Sequence, residues 1–216
     1  MIFEVFTSGP VDTNGYLVAE RRDGHAVVID APLDAAEQMV EQARKWNVTI
    51  THLVNTHPHW DHILDNARLL QLTHAKFGLH RDAVPLLSLP QTKWFGMDGA
   101  PGAMDLEMPK CVPDFFLEEG QPLVVGSMKL EVLHCPGHCP GSVALFEPND
   151  RVVFTGDVLF AGSIGRTDLP GGDHAILLDS ITSKLLPLGD DVRVFPGHGP
   201  VTTLGAERRH NPFLNT

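Results

Sequence analysis

The chain has 216 residues and a formal net charge of −11, with 43% hydrophobic and 20% charged residues. A negative balance of this size opposes binding to a phosphate backbone unless a local basic patch exists. We find no such patch and therefore expect no nucleic-acid partner. The length and composition favour one packed domain spanning residues 1–216 rather than a disordered chain.

We expect no targeting or membrane-anchoring segment in this sequence. No run of about 18 apolar residues could span a bilayer. The first residues, MIFEVFTSGP, lack the basic start and the long apolar core of a secretory signal. The three cysteines form no framework of paired spacings, which argues against a disulfide scaffold. We predict a cytoplasmic protein without a membrane partner, and the sequence makes no prediction of oligomeric state.

Strand-like runs rich in Val, Leu and Phe recur along the chain, and each ends in a polar or charged residue followed by a loop. These terminal residues are Asp30, His57, His138, Asp157 and His198. Two segments, residues 27–57 and 152–198, echo each other as similar α/β units. Because ligands collect at the edge where strand ends meet, we expect the polar residues to lie at one edge.

Helical periodicity separates the strands. Apolar residues recur with helical spacing in residues 33–46, at Ala36, Met39, Val40 and Ala43. Residues 61–72 and 174–188 follow the same kind of pattern, so each is predicted to form a helix. The alternation of strands and helices predicts an α/β protein.

Two further segments refine this prediction. Residues 122–133, PLVVGSMKLEVL, predict a hairpin that turns at Gly126 and Ser127, so the sheets should be mixed rather than purely parallel. Residues 89–110 have no clear periodicity and many Gly, Pro and Met residues, which is typical of a functional loop. The loop contains Trp94, Phe95 and Met97, for which packing is favoured over a role as a pocket wall.

The stretch NTHPHWDH, residues 55–62, is the strongest chemical signal in the sequence. In an extended segment, residues two apart point the same way, so His57 and His59 can converge on one ion. Asp61 and His62 follow at the start of a predicted helix, which turns them to the side of the first pair. Imidazole and carboxylate ligands suit zinc, iron or manganese. The alternative is a polar surface loop.

Other strand ends supply the ligands that this stretch lacks. His138, Asp157 and His198 each lie next to glycine, which gives the backbone room to turn toward an ion. Taken singly, each is better interpreted as a structural hydrogen-bonding residue; taken in order with the first motif, they are predicted ligands. We predict one ion bound by His57, His59 and His138 and a second bound by Asp61, His62 and His198, with Asp157 shared between them.

Residues beside these ligands receive simpler interpretations. Asp30 is predicted to orient the metal-binding loop by hydrogen bonding rather than to bind an ion. Cys135 and Cys139 flank a ligand, but they are interpreted as small buried residues. Arg166 is either an anion anchor or the partner in a structural salt bridge.

These motifs resemble a known family. THPHWDH matches the H-x-H-x-D-H signature of the metallo-β-lactamase superfamily, and GH, GD and PGH supply its remaining motifs in the expected order. HCPGHCPGSVALFE, TGDVLFAGSIGRTDLPGGDH and PGHGPVTTLGAERRHNPFL resemble the glyoxalase II (hydroxyacylglutathione hydrolase) branch, especially its short bacterial members. The resemblance covers nearly all of the chain. It implies a four-layer αβ/βα sandwich of two mixed sheets flanked by helices.

The resemblance also implies an activity. Two divalent metal ions, zinc first and iron or manganese as alternatives, would hold a hydroxide that attacks the carbonyl of a thioester such as S-lactoylglutathione. Asp61 and Asp157 would be the catalytic carboxylates. A thiol with a pKa of about 8.5 leaves without a general acid, and no well-placed acid is visible, so thioesters are favoured over amides.

Several alternatives stay open. Persulfide dioxygenases share the fold and the GRTD element, but they use one iron, for which His57, His138 and Asp157 would be the ligands. Lactone or ester hydrolysis on the same site is a second alternative. A non-catalytic metal-binding protein is the least favoured, because two ligand sets sharing a carboxylate exceed the needs of structural zinc.

The sequence departs from the family pattern in two places. His62 is followed by Ile63, Leu64 and Asp65 where family members carry a small pair. Leu64 and Asp65 are therefore expected to narrow the surroundings of the second metal and to weaken its binding. Longer glyoxalase II enzymes grip glutathione with a helical C-terminal extension that the resemblance does not include, so we expect that glutathione recognition does not carry over.

Overall fold

The computed structural model describes residues 1–87 and 110–215, so the segment 89–110 and its Trp94, Phe95 and Met97 lie outside the described residues, except for Lys110. Two six-stranded sheets form the centre of the described structure. The first contains, in spatial order, β1 Ile2–Ser8, β2 Thr13–Ala19, β3 His25–Ile29, β4 Thr49–Val54, β5 Lys76–Leu79 and β6 Phe115–Phe116. The second contains, in spatial order, β7 Leu123–Val125, β8 Met128–His134, β9 Val143–Glu147, β10 Val152–Gly156, β13 Arg193–Pro196 and β14 Thr202–Thr203. The strands β11 Leu159–Phe160 and β12 Ser163–Ile164 form a separate hairpin.

Both sheets are mixed, as predicted. In the first sheet β1, β2 and β3 pair antiparallel, whereas β3 to β6 run parallel. In the second sheet only β10 and β13 pair parallel, and the other neighbours are antiparallel. The predicted turn at Gly126 and Ser127 joins β7 to β8, and Gly126 has the positive φ of 61° that such a turn favours.

The helices are α1 Ala36–Trp46, α2 Trp60–Ile63, α3 Asn66–Thr73, α4 Val84–Leu87, α5 His174–Ser180 and α6 Leu204–His210. The helix predicted at residues 33–46 is confirmed and begins at Ala36. The helix predicted at residues 174–188 changes form after Ser180, into a π-helical turn at Ile181–Leu185 and a 3₁₀ turn at Leu186–Leu188. Within residues 1–87 and 110–215, no helix combines the length and apolar character that crossing a bilayer requires.

The single helix predicted at residues 61–72 is wrong, because the chain breaks between α2 and α3. Asp65 has a backbone N–H that donates to the carbonyl of Ala31 at 3.0 Å. Its carboxylate accepts the backbone N–H of Ala36, also at 3.0 Å, where α1 begins. These contacts tie the break to the start of α1 and end the first helix after one turn.

Three apolar clusters divide the structure into four layers. Alternation along each strand sends neighbouring side chains to opposite faces, as Leu17 and Val18 of β2 illustrate. Leu17 packs toward α1 and α3 on the outer face of the first sheet, whereas Val18 packs between the two sheets. A third cluster, which includes Leu177 and Ile181, covers the outer face of the second sheet. The predicted four-layer αβ/βα sandwich is therefore confirmed.

Candidate metal centre

The predicted ligands come from loops that leave both sheets at one edge. The segment after β4 is fixed by Asp30, which follows β3 and has a positive φ of 59°. Its carboxylate accepts the backbone N–H of Thr56 at 2.8 Å. The side-chain amide of Asn55 donates to the carbonyl of His62 at 3.1 Å and so closes the loop. The strand ends thus deliver their polar residues to a shared, buried position.

The first ligand set consists of three buried histidines, His57, His59 and His138. Their candidate ligand nitrogens all lie within 4.8 Å of one another. His138 Nε2 lies 2.8 Å from His59 Nδ1. Because His138 Nδ1 donates to the carbonyl of Arg166 at 2.8 Å, the neutral ring has its lone pair on Nε2, directed at His59. Either a proton on His59 Nδ1 or a cation bound by both nitrogens would satisfy this lone pair.

The second ligand set consists of Asp61, His62 and His198. Asp61 Oδ2 lies 3.1 Å from His198 Nε2 and 3.4 Å from His62 Nε2. Thr13 Oγ1 donates a hydrogen bond of 2.8 Å to the same carboxylate oxygen. The set is more open than the first, because the side chain of His198 is 28% exposed.

Asp157 lies between the two sets. Its Oδ1 is 3.3 Å from His62 Nε2, and its Oδ2 is 3.6 Å from His198 Nε2. Oδ2 is also 3.7 Å from His138 Nε2 and 3.9 Å from His57 Nε2. Gly197 permits this approach, since a Cβ at that position would collide with the Asp157 carboxylate and the His62 ring. One carboxylate can therefore serve both sets.

Hydrogen bonds behind the ligands fix their tautomers. His62 Nδ1 donates to Asp30 Oδ2 at 2.8 Å, so the lone pair of the neutral ring lies on Nε2, inside the site. Thr56 Oγ1 donates to the same Asp30 oxygen at 2.7 Å and can then accept the Nδ1 proton of His57 at 3.0 Å. His198 Nδ1 donates to the carbonyl of Val11 at 3.2 Å. In its neutral form each of these rings has its lone pair on Nε2, which is the tautomer that a metal ion requires.

The histidines of the first set have lowered pKa values, which keep their imidazole rings neutral. Burial first, and then the neighbouring imidazoles, hold the pKa of His57 well below its ordinary value and lower that of His59 to about 3. Burial also lowers the pKa of His138, although Asp157 opposes the shift. Lone pairs are therefore available to a cation throughout the neutral range.

The two histidines of the second set have raised pKa values, in contrast to those of the first set. Burial lowers the pKa of His62, but the carboxylates of three aspartates outweigh it and hold the net value well above the ordinary one. They belong to Asp61, Asp157 and Asp30. Burial likewise lowers the pKa of His198, and its hydrogen bond to Asp61 leads the opposing effects that leave the value raised. The negative charge of this set therefore favours a proton or another cation.

Several buried atoms fit a metal ion in the role of this cation. His57 Nε2, His62 Nε2 and Asp157 Oδ1 have no hydrogen-bond partner among the described residues. With His62 Nδ1 committed to Asp30, the neutral ring turns a lone pair toward a carboxylate oxygen 3.3 Å away, which is repulsive without positive charge between them. Imidazole and carboxylate donors in two sets suit divalent ions of the zinc, iron and manganese group. The residues present thus fit two metal ions.

A cavity of about 410 Å³ opens onto these ligands. Its wall includes Val11, Trp60, Phe160, Ile164 and Arg166. Arg166 pairs with Asp168 through two contacts, of 2.7 and 2.8 Å, so the predicted salt bridge is present in a side chain that also lines the cavity. A second cavity, of about 450 Å³ beside Glu119 and Leu133, contains none of the predicted ligands, so we assign the site by its chemistry rather than by volume.

The structure brings all the predicted ligands together, and Asp30 orients them as predicted. Cys135 and Cys139 are buried, and burial raises their thiol pKa values to about 12 and about 11, which suits inert core residues. The expected narrowing of the second set by Asp65 is wrong, because that carboxylate faces the N–H of Ala36. The sequence analysis missed Thr13, whose hydroxyl holds Asp61.

Known proteins resemble the chain along almost its full length. A profile of the metallo-beta-lactamase superfamily matches residues 8–198. Hydroxyacylglutathione hydrolase GloC from Haemophilus influenzae is 39% identical over 200 residues, which cover 89% of this chain and 88% of GloC. The crystal structure of BLEG-1 B3 metallo-beta-lactamase has a TM-score of 0.89 and 37% identity, covering 100% of both chains. TTHA1623 in a di-iron-bound form has a TM-score of 0.84 and 38% identity, covering 98% of this chain and 100% of that one. The chain therefore belongs to the metallo-β-lactamase superfamily of metal-binding hydrolases.

Proposed function

We propose that the chain is a two-metal hydrolase of thioesters such as S-lactoylglutathione, similar in activity to glyoxalase II. The observation that carries the proposal is the presence of two complete ligand sets that share Asp157 at the floor of one cavity. The 39% identity to a hydroxyacylglutathione hydrolase adds support for the substrate class. The small-molecule thioester is the partner that this proposal requires.

Bound divalent ions would polarise a carbonyl and lower the pKa of a water molecule from about 15.7 to about 7. The chain supplies the orientation. Asp61 and Asp157 are the carboxylates among the described cavity-lining residues, and either can accept a proton of a water molecule as a hydrogen bond. Thr13 donates a hydrogen bond to Oδ2 of Asp61, and this contact fixes the direction of the Asp61 carboxylate. We assign both aspartates as catalytic carboxylates.

The leaving group decides between thioesters and amides. His62, His138 and His198 are held by hydrogen bonds behind them and aim at the ligand sets, so with metal bound none of these three is available to protonate a leaving amine. A thiol with a pKa of about 8.5 departs as a thiolate and does not need that proton. Thioesters are therefore preferred to β-lactams and peptides, and lactones or activated esters are secondary substrates of the same site.

Zinc is the proposed metal, because imidazole and carboxylate sets of this kind suit it well. Iron is the alternative, and its support is the similarity to TTHA1623, whose structure is described as di-iron-bound. Oxidation by a single iron would use His57, His138 and Asp157 and would leave Asp61, His62 and His198 without a role. The assembled second set favours hydrolysis over that alternative.

The test combines metal analysis with a substrate panel. The purified protein should contain about two ions per chain and hydrolyse S-lactoylglutathione, and a chelator should abolish this activity. A lactone and a β-lactam should react more slowly. Oxygen uptake on glutathione persulfide with one iron per chain would establish the oxidative alternative instead. A fully metal-loaded protein that is inert toward thioesters would refute the proposal.

Glutathione recognition requires its own comparison. S-lactoylglutathione and the lactoyl thioester of a small thiol should be hydrolysed with similar kcat/KM, because Arg166, the one arginine or lysine among the described cavity-lining residues, already pairs with Asp168. A strong preference for the glutathione thioester would mean that residues of this cavity, such as Arg166, recognise the tripeptide.

A further inference from the structure

The β11–β12 hairpin forms the apolar wall of the cavity beside the second ligand set. Phe160 and Ile164 line the cavity, and the ring centroid of Phe160 lies 6.1 Å from that of His198. Each strand of the hairpin has only two residues, paired as Leu159 with Ile164 and Phe160 with Ser163. Two-stranded ribbons of this length are not stable by themselves, so contacts from outside must hold this wall.

Leu159 and Ile164 pack into the third apolar cluster, and helix α6 supplies polar contacts to the turn of the hairpin through a buried carboxylate. Glu207 is only 4% exposed, and none of its contacts with the described residues is an ion pair. Its Oε2 accepts the backbone N–H of Gly162, at the tip of the hairpin, at 2.8 Å. Its Oε1 accepts the hydroxyl of Thr202 at 2.6 Å. A carboxylate buried without a cation is costly unless its oxygens accept such hydrogen bonds.

Asn211 extends the same network. It is completely buried, and its side-chain amide donates to Glu207 Oε2 at 2.8 Å and to the carbonyl of Ser163 at 3.0 Å. The Asn211 backbone N–H donates to the carbonyl of Glu207 at 2.9 Å, which keeps the two side chains together. Glu207 and Asn211 thus hold consecutive backbone groups, those of Gly162 and Ser163, at the turn of the hairpin.

We propose that Glu207 is a positioning residue that, together with Asn211, fixes the β11–β12 hairpin and thereby sets the apolar wall against which the acyl group of the substrate packs. Glu207 touches neither the predicted ligands nor the space above them, so it acts through Phe160 and Ile164. The expected effect on catalysis rests on the proposed thioester hydrolysis, whereas the expected effect on the hairpin is independent of that function.

The test compares Glu207→Ala with the conservative variant Glu207→Gln in the metal-loaded full chain. Removal of the carboxylate should accelerate amide hydrogen exchange in residues 159–164 by about tenfold, since one buried hydrogen-bonding centre is lost. The KM for S-lactoylglutathione should rise about three- to tenfold with a smaller change in kcat, because substrate binding is weakened more than the chemistry. Metal content should stay at the wild-type value.

Glu207→Gln should restore both properties. One orientation of the amide turns its oxygen toward Gly162 N–H and Asn211 Nδ2 and its NH₂ group toward the hydroxyl of Thr202, so the three contacts are kept. Glu147→Ala is the matched control. Glu147 is also buried and accepts hydrogen bonds from Asn149 and Asp150, but it lies at the opposite end of β10 from Asp157. It should leave the exchange of residues 159–164 and the KM unchanged.

Two results would overturn the proposal. Wild-type exchange at residues 159–164 in Glu207→Ala would show that the hairpin does not depend on this residue. An equal acceleration in Glu147→Ala would show a general loss of stability instead. If Glu207→Ala does not fold, Asn211→Ala is the second variant. It removes the contacts of the Asn211 side chain with Ser163 and Glu207 but leaves the Glu207–Gly162 hydrogen bond, so it should accelerate the same amides to a smaller extent, and wild-type exchange there would refute the proposal. If the wild-type protein hydrolyses no thioester, the proposed function fails, while the exchange measurement still decides the role of Glu207.

Discussion

The two ligand sets of the metal centre differ in charge and in exposure. The set of His57, His59 and His138 is buried and has pKa values lowered by burial and by neighbouring imidazoles. The set of Asp61, His62 and His198 contains a carboxylate, and the pKa values of its two histidines are raised. The first set offers neutral ligands that need not lose a proton. The second attracts a cation more strongly, but protons compete for it.

From the sequence, the second set was expected to bind its metal more weakly because Leu64 and Asp65 would narrow its surroundings. Asp65 contacts α1 instead, and neither residue is among the described residues that line the cavity. Within the second set, His62 is surrounded by three carboxylates, those of Asp30, Asp61 and Asp157. Its affinity for metal should therefore be limited by protonation rather than by crowding.

The largest effect should come from the residue that both sets share. Asp157→Asn removes a negative charge whose oxygens lie 3.3 to 3.9 Å from histidines of both sets. We expect both ions to be lost or strongly weakened and kcat/KM for thioesters to fall by about a thousandfold or more. Metal analysis and steady-state kinetics measure the two effects. The control Asp191→Asn, at an exposed aspartate paired with Arg151, should change neither. Two retained ions would mean that the sets are independent.

Acidification should release the metal ions of the two sets at different pH values. A ligand histidine binds metal only after it has lost its proton, so a raised pKa means that protons displace the metal at a higher pH. His62 and His198 have raised pKa values, whereas the pKa of His59 is lowered to about 3. As the pH falls, the second ion should therefore be released first while the first ion stays bound.

Metal content per chain after dialysis at decreasing pH measures this separation. The variants His59→Ala and His198→Ala, each lacking a ligand of one set, identify which ion is lost in each step. Release of both ions in one step, or earlier release from His198→Ala than from His59→Ala, would contradict the difference between the sets.

A smaller effect should follow from Asp30→Asn. The backbone at Asp30 has a φ of 59°, which asparagine also adopts, so the loop should keep its conformation. The new NH₂ group would donate to His62 Nδ1 and move the ring proton to Nε2, where it blocks the metal position. Affinity for the second ion should fall by about ten- to a hundredfold. Thr56→Val removes the hydroxyl that links Asp30 to His57 but leaves the Asp30–His62 hydrogen bond, so it should lower the affinity for the first ion instead. If both variants lowered the affinity for both ions equally, the assignment of Asp30 to the second ion and of Thr56 to the first would be contradicted.

Much of the site could be predicted because its ligands follow strand ends. Hydrophobic runs locate the strands, and parallel neighbours such as β10 and β13 must deliver Asp157 and His198 to the same edge. The alternating direction of side chains in an extended segment likewise accounts for His57 and His59. Sequence periodicity and spacing contain this information directly, so the layers agree with the structure and the predicted ligands lie together in it.

The parts that were missed depend on contacts between distant segments. The helix break at Asp65 arises from a hydrogen bond to Ala36, and nothing in the local pattern of residues 61–72 encodes it. Glu207 reaches Gly162 across 45 positions, and Thr13 reaches Asp61 across 48. Single polar residues at such separations have no periodic signal. Only the packed structure identifies them.

Thr13 provides the finest test of the difference between the sets. Its hydroxyl donates to Asp61 Oδ2 at 2.8 Å, and both residues are buried. Thr13→Val keeps the shape of the side chain and leaves that carboxylate oxygen one donor short, so affinity for the second ion should fall by about tenfold. The first ion should be unaffected, since no member of its set contacts Thr13 through a hydrogen bond among the described residues. Titration with a competing chelator measures both constants. Thr51→Val, which removes a hydroxyl bonded to Ala26 within the first sheet, is the matched control and should leave both ions unchanged. Weakening of the first ion by Thr13→Val would mean that strain at Asp61 passes through Asp157, and the two sets would then have to be treated as one coupled site.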